Sequence, residues 1–326
     1  MSATLGSAGS LLEDTAFLRD AIWPLVAGPA EPPPVGLPEV TVRRRRPDGR
    51  LVAELEFGPT SRVYAKLYRD VVSGAQAHAI HKRLWERGLG AGPIYRVPEP
   101  LAYLPDHGVL LLRAAAGEQL SSLAPSRTLD GVRGAARWLA ALHASDVQLD
   151  ASEDPVQGVL RLGRLAASAA ASRPELEEVF RGLLEILAER YEGVAGRAEL
   201  APTHGRFSAE HVFIAPEAVT VVDLDRAALA DPAKDVGELL HRLRWDAGKR
   251  GRVTEAIDEA GEAFVREYLR SSRFGLSTLA YHWSYSVVWT LFVLASRHRP
   301  GKGWDERSAF LLTELAAVPA RVEALR

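Results

Sequence analysis

The chain reads as an α+β protein: a small β-rich part carrying one helix, then a long, mostly helical remainder. Three observations predict this. Short runs with strand-like alternation or continuous apolar character fall between residues 39 and 113. A run of small residues, Ala114-Ala115-Ala116-Gly117, ends that pattern. Beyond it apolar residues recur at helical spacing in segment after segment, and strand signals return only around residues 211–224.

Each element has a local reason. Residues 10–28 form a helix by the placing of Leu11, Leu12, Phe17, Leu18, Ile22 and Leu25, and the proline-rich stretch Pro29 to Pro38 is a linker. Residues 39–46 and 50–57 flank Pro47-Asp48-Gly49 and predict a hairpin. Residues 62–68 are rich in β-formers and give a third strand. Residues 74–87 read as a helix with Ile80 and Leu84 inward and Gly88 as its stop. Strands 99–103 and 108–113 follow, split by Pro105-Asp106. The run Val109-Leu110-Leu111-Leu112 is apolar throughout, as in a strand covered on both faces. The helical part holds segments at 127–145, two or three within 151–195, then 231–243, 254–269, 277–296 and 305–325, with a strand pair at 211–214 and 219–224. The nearly all-apolar stretch 277–296 is a buried core helix.

Composition excludes several classes. A net charge of -2 gives no general affinity for nucleic acid. The tetrad Arg43-Arg44-Arg45-Arg46 is local and reads as a solvated strand edge. No cysteine is present, so there is no disulfide framework and no thiolate chemistry. Neither a signal peptide nor a membrane span is expected, and a cytoplasmic location is the expectation.

Some polar residues stand where burial needs a reason. Lys66 lies mid-strand in a chain with five lysines against 35 arginines. Asp223 closes an apolar strand, where a carboxylate is costly unless it is paired or holds a cation. Asp225 either joins it at a cation or pairs with Arg226. Asp231 before Pro232 has the form of a helix N-cap, and His143 belongs to a core-facing helix.

The ordered set Val63-Tyr64-Ala65-Lys66, Leu142-His143, His204-Gly205, Val222-Asp223-Leu224-Asp225 and Asp231-Pro232-Ala233-Lys234-Asp235 resembles the aminoglycoside phosphotransferase family, within the protein-kinase-like superfamily. The resemblance spans residues 39 to about 320. It implies a two-lobed protein-kinase-like fold with a small five-stranded N-lobe and a mostly helical C-lobe. Residues 1–38 would be an N-terminal helix and linker, 39–116 the N-lobe, and 117–326 the C-lobe with its catalytic-loop hairpin. It implies ATP or another nucleotide as cofactor, with Lys66 on the phosphates and the backbone at Arg113 and Ala115 on adenine. Asp223 and position 211 would hold a metal, and Asp235 would brace the His204 loop.

Two positions depart from that pattern. Active relatives carry an Asp after His-Gly that takes the acceptor's proton; here it is Arg206, which cannot act as a base. A positioned base contributes on the order of 10²- to 10⁴-fold. The metal-binding Asn or Gln is replaced by His211, whose imidazole suits transition ions better than Mg²⁺. A cation about 5 Å from Mg²⁺ would feel a repulsion of roughly 6–7 kcal/mol at an effective dielectric of about 20, so Mg²⁺ binding is expected to be weakened. Arg206 would instead clamp a phosphoryl group. The glutamate that usually partners the strand lysine is also missing: Gln76, His78 and His81 occupy the stretch from Gly74 to Trp85, with Glu86 at its end, so Lys66 is expected to be poorly oriented. These features point to a pseudokinase or partner subunit with an ATP-type cleft, Arg206 and Asp225 standing in the catalytic position. The alternative is an active phosphotransferase that modifies a hydroxyl of a small molecule or peptide by altered chemistry, with Asp225 or Glu210 orienting the acceptor.

Overall fold

Helix formation starts where a side chain first satisfies free amides. The Asp14 carboxylate accepts the N–H groups of Ala16 and Phe17 at 2.9 and 3.2 Å. A π-helical turn, Phe17–Ile22, then runs into α1 (Trp23–Ala27). The helix expected over 10–28 is therefore shorter at its start. This computed structural model describes residues 11–28, 31–32, 36, 38–45, 50–58, 61–89, 92, 94–153, 155–196, 199–251, 253–273, 275–297 and 302–325. The expected turn at Pro47-Asp48-Gly49, and Arg46 of the arginine tetrad, lie outside them.

These residues belong to two compact units: Met1–Gly117 with Ala215–Asp225, and Glu118–Ile214 with Arg226–Arg326. In the first unit, β1 (Glu39–Arg45), β2 (Leu51–Glu56), β3 (Arg62–Leu67), β5 (Pro100–Leu104) and β6 (Val109–Arg113) make an antiparallel sheet in the order β1-β2-β3-β6-β5. Two short strands, β4 (Tyr95–Arg96) and β10 (Val219–Val221), pair in parallel in the same unit.

Strand alternation sends Val63, Ala65 and Leu67 to one face of the sheet. There they pack with Leu51, Leu55 and Val109 against Phe17, Ile22 and Trp23 of the N-terminal helical segment. Each fully buried side chain of this size contributes about 1.5–3 kcal/mol. The opposite face carries Lys66 and Tyr64 and is covered by α2 (Val71–Leu84), whose Ala77 packs with Tyr68, Leu110 and Leu112. With both faces covered, residues 109–112 are buried throughout, as their continuous apolar character requires.

Helix α2 begins three residues before the expected start. Asp70 caps it, its side chain accepting from the Ser73 amide at 2.7 Å. The β-branched pair Val71-Val72 masks this start in the sequence. The inward stripe is Gly74, Ala77, His81 and Leu84, so His81 rather than Ile80 faces the core. Gly74 lets the helix approach Tyr103, whose hydroxyl donates to the Val71 carbonyl at 2.9 Å.

In the second unit, β7 (Glu118–Gln119) pairs with β9 (Val212–Ile214), and β8 (Ala201–Thr203) pairs antiparallel with β11 (Ala228–Ala230). The pair β8–β11 was not expected, because three residues are too few to show a period. The helices are α3 (Pro125–His143), α4 (Pro155–Ser172), α5 (Glu177–Glu192), α6 (Ala233–Gly248), α7 (Glu255–Tyr268), α8 (Leu276–Arg297) and α9 (Lys302–Glu323). Apolar α8 is the core helix, packed by α4, α5, α6 and α9. Gly237 of α6 permits a close crossing: a Cβ there would lie 2.7 Å from the Trp283 amide nitrogen. Among the described residues no helix is long and apolar enough to cross a membrane.

Candidate functional site

Strand geometry delivers Lys66 to a pair of carboxylates. Its ammonium lies 3.2 Å from Asp223 Oδ1 and 2.7 Å from Asp225 Oδ1. Both aspartates follow directly on β10. Leu224 between them is fully buried, so the two carboxyl groups turn to the same side of the backbone. Tyr68 lies two residues beyond Lys66 and shares its face by alternation; its hydroxyl donates to Asp225 Oδ2 at 3.0 Å. The sequence offered Arg226 as a partner for Asp225, and Lys66 takes that place. Lack of a helix glutamate therefore does not leave Lys66 unoriented: two carboxylates more than 150 residues away hold it.

The electrostatics follow from burial against pairing. Burial opposes the charge on Lys66, but Asp225 and Asp223 outweigh it and hold the ammonium above the ordinary lysine value. Burial likewise raises Asp225, and Lys66 overcomes it, leaving the carboxyl below the usual range. Burial, then Asp225, push the Tyr68 phenol well up, so it stays a donor. Asp223 has φ 66°, the left-handed region. For a non-glycine this costs about 1–2 kcal/mol and is the kind of strain found at working sites.

Arg113 and Ala115, the expected adenine contacts, lie at and just beyond the end of β6. The Arg113 amide is spent on the Glu99 carbonyl and the Ala114 amide on Arg62, at 2.9 and 3.0 Å. The Arg113 guanidinium pairs with Glu99 at 2.6 Å.

In the second unit the loop after β8 is built around one buried acid. Asp235 accepts the His204 amide at 2.6 Å and the Gly205 amide at 2.9 Å, and His143 Nε2–H at 3.1 Å. The other nitrogen of His143 is 2.7 Å from the Tyr268 hydroxyl, which Ser272 reaches at 2.9 Å. Thus Asp235 braces the His204 loop as expected, and His143 does more than fill the core. Gly205 is obligatory: its φ is +76° and a Cβ would sit 2.3 Å from the Arg226 carbonyl oxygen.

That brace fixes Arg206 and His211 in one small arrangement. The Arg206 amide donates to His204 Nδ1 at 3.3 Å, and His211 Nδ1–H donates to the Arg206 carbonyl at 3.0 Å. The His211 ring stacks on His204 with centroids 5.6 Å apart. Asp231, read as a cap, accepts the Ala233 amide at 2.8 Å and also meets His282 Nε2 at 3.2 Å.

Of the residues singled out in the sequence, Lys66, Asp223 and Asp225 come together in the first unit, and Arg206 and His211 in the second. Tyr68, His81 and Tyr268 were missed. Tyr68 had a signal, its two-residue spacing from Lys66; Tyr268 had none, because its partner His143 is remote in sequence.

A family model described as "Phosphotransferase enzyme family" matches residues 41–274. No curated protein matches the sequence significantly. Among solved structures, the chain is similar to a choline/ethanolamine kinase family protein from Mesorhizobium loti, with 17% identity over 96% of this chain and 99% of that one, at a TM-score of 0.62. It is also similar to ADP-bound aminoglycoside phosphotransferase APH(2'')-Ib, with 15% identity, 87% and 95% coverage and a TM-score of 0.59. A third likeness is to APH(3'')-Id from Streptomyces rimosus, with 18% identity, 76% and 92% coverage and a TM-score of 0.58. At such identities the likeness is one of fold, the two-lobed α+β kinase-like fold.

Proposed function

Because the chain belongs to the phosphotransferase enzyme family, we propose that it binds an ATP-type nucleotide but has lost ordinary base-assisted transfer, acting as a pseudokinase or partner subunit. One observation carries the reading. The loop is fully braced by Asp235, yet the residue that follows His204-Gly205 is Arg206, a side chain with no acceptor for a proton. A collapsed loop would give a simpler account of lost chemistry; an ordered loop with a guanidinium in it fits binding without base catalysis.

The first unit keeps what phosphate binding needs. Lys66 supplies a fixed ammonium, and Asp223 and Asp225 supply hard oxygens of the kind Mg²⁺ takes, with phosphate oxygens completing its shell. Those two carboxylates fit a divalent cation, whose chemistry there would be to neutralise phosphate charge. His211 fits Mg²⁺ poorly, since an imidazole nitrogen is a softer donor and its Nδ1–H is already given to Arg206. Among the described residues no group of three or more His, Cys, Asp or Glu side chains is arranged to hold a metal ion. Metal is therefore an aid to nucleotide binding in this reading, and the Lys66 ammonium supplies phosphate affinity that does not require it. A cytoplasmic location completes the proposal.

Thermal shift with ATP and ADP, each with and without Mg²⁺ and Mn²⁺, tests it. Stabilisation by nucleotide that persists without metal is the expected result. No stabilisation by either nucleotide under any condition would remove the reading.

A second reading rests on Asp225. Phosphoryl transfer depends mainly on positioning and charge, so a carboxylate fixed two residues from Asp223 keeps slow transfer to a hydroxyl within reach. Acceptors would be those of the structural neighbours, aminoglycosides or choline-like alcohols, or a peptide hydroxyl. A radiolabel screen over such compounds decides: product that disappears in Asp223→Ala favours an enzyme.

A further inference from the structure

His81 is fully buried on the inward face of α2, and among the described residues its Nε2 has no hydrogen-bond partner. Its Nδ1 lies 2.8 Å from the Ala77 carbonyl oxygen, one turn earlier. A carbonyl only accepts, so Nδ1 carries the proton and Nε2 presents a lone pair. Burial, then the nearby Lys66 charge, lower the imidazole to about 4, so it is neutral at pH 7. A buried acceptor without a donor costs about 1–3 kcal/mol, and natural cores rarely keep one without a use.

The surroundings name the missing donor. Leu110 stands directly across from Lys66 in the β3–β6 pairing, and Leu110 packs with Ala77 of α2. Lys66 therefore projects from the sheet face that α2 covers, the face His81 turns toward. An ammonium has three N–H groups; two are directed at Asp223 and Asp225. Lys66 is the cation whose charge is felt most at His81, and it is anchored by a flexible four-carbon stem.

We propose that His81 Nε2 is a second seat for the Lys66 ammonium, taken up when the two aspartates are given over to another cation. Without such a seat, a divalent ion on Asp223 and Asp225 would repel Lys66 and leave its position unspecified. With it, the ammonium hands its carboxylates to the incoming cation and gains a neutral acceptor, which keeps it inside the unit and directed. His81 is thus a positioning residue, acting through Lys66. The identity of the displacing cation rests on the nucleotide-and-metal reading above; the seat itself does not.

Nitrogen NMR on full-length, histidine-labelled protein separates the two. A pyridine-type nitrogen with a bare lone pair resonates far downfield and moves upfield when it accepts a hydrogen bond. His81→Phe assigns the resonance by its loss. In an Asp223→Ala/Asp225→Ala double variant, the His81 Nε2 signal is expected to move upfield, and adding Lys66→Met is expected to return it. The Asn versions of both aspartates carry the same test should the alanine pair fail to fold. An Nε2 signal that stays at its wild-type position in the double variant, or that moves identically when Lys66 is methionine, overturns the proposal. In wild type, MgCl₂ with ADP is expected to cause the same upfield move. A signal that moves in the double variant but ignores MgCl₂ and ADP keeps the second seat and counts only against a divalent cation on the two aspartates.

Discussion

Charge at Lys66 is settled by neighbours, not by the residue itself. Removing it as Lys66→Met takes away the ammonium that Asp223 and Asp225 share. Their side chains are 27% and 23% exposed, so solvent softens the penalty. A loss on the order of 2 kcal/mol at pH 7 is expected, at the low end for breaking a buried pair. Urea unfolding of the variant against wild type checks the size of the loss. Asp235 offers a parallel case. Three donors converge on its two oxygens. Asp235→Asn keeps the shape but turns one acceptor into a donor, so a loss of about 2–3 kcal/mol is expected. Faster hydrogen exchange at the His204 and Gly205 amides would accompany it, and unchanged exchange there would contradict the brace.

The elements are held by close approaches that only small residues allow. The loop after β8 passes so near the segment leading into β11 that Gly205→Ala must move backbone against backbone. A Cβ would stand 2.3 Å from the Arg226 carbonyl oxygen, in a left-handed conformation. At least about 2 kcal/mol of destabilisation is expected, with the Arg206–His211 hydrogen bond lost from the nitrogen spectrum of His211. Wild-type stability in this variant would mean that the loop is placed differently. The N-terminal helical segment is a covering element for the sheet rather than an appendage. Trp23→Ala removes a large side chain from the cluster that includes Phe57 and is expected to cost about 3–5 kcal/mol, read from the urea midpoint.

Over the whole molecule, each unit carries a buried neutral imidazole: His81 in the first, His241 in the second. Burial, the leading cause for both, lowers each to about 4 from 6.5. For His241 the charges of Glu238 and Arg242 act in opposite directions on the same group. The folded values lie below the unfolded ones, so the unfolded chain binds more protons below pH 6.5. Stability from this source is complete above that pH and is lost as pH falls toward 4. Each imidazole accounts for up to about 3 kcal/mol of the loss. His241→Gln, which retains a polar group near Thr290, is expected to flatten the decline between pH 6.5 and 4; an equally steep decline would show that other groups dominate.

What could be read in the chain was whatever repeats locally. A strand-like run beside a turn signal gave β2, richness in β-formers gave β3, the unbroken apolar run gave β6, and the length and apolarity of 277–296 gave α8, because propensity and burial are written in adjacent residues. The ordered motif set also gave the kinase-like fold and the brace at Asp235. Local patterns fail where an element is too short, as in β8 and β11, or where β-branched residues hide a capped start, as at Asp70. Tertiary structure alone decided that Lys66 would be seated by Asp223 and Asp225, that Tyr68 would join them, and that His81 rather than Ile80 would face inward. The physical reason is that these contacts join groups far apart in sequence, and a side chain's protonation and direction depend on the burial and charge it meets only after the chain has closed on itself.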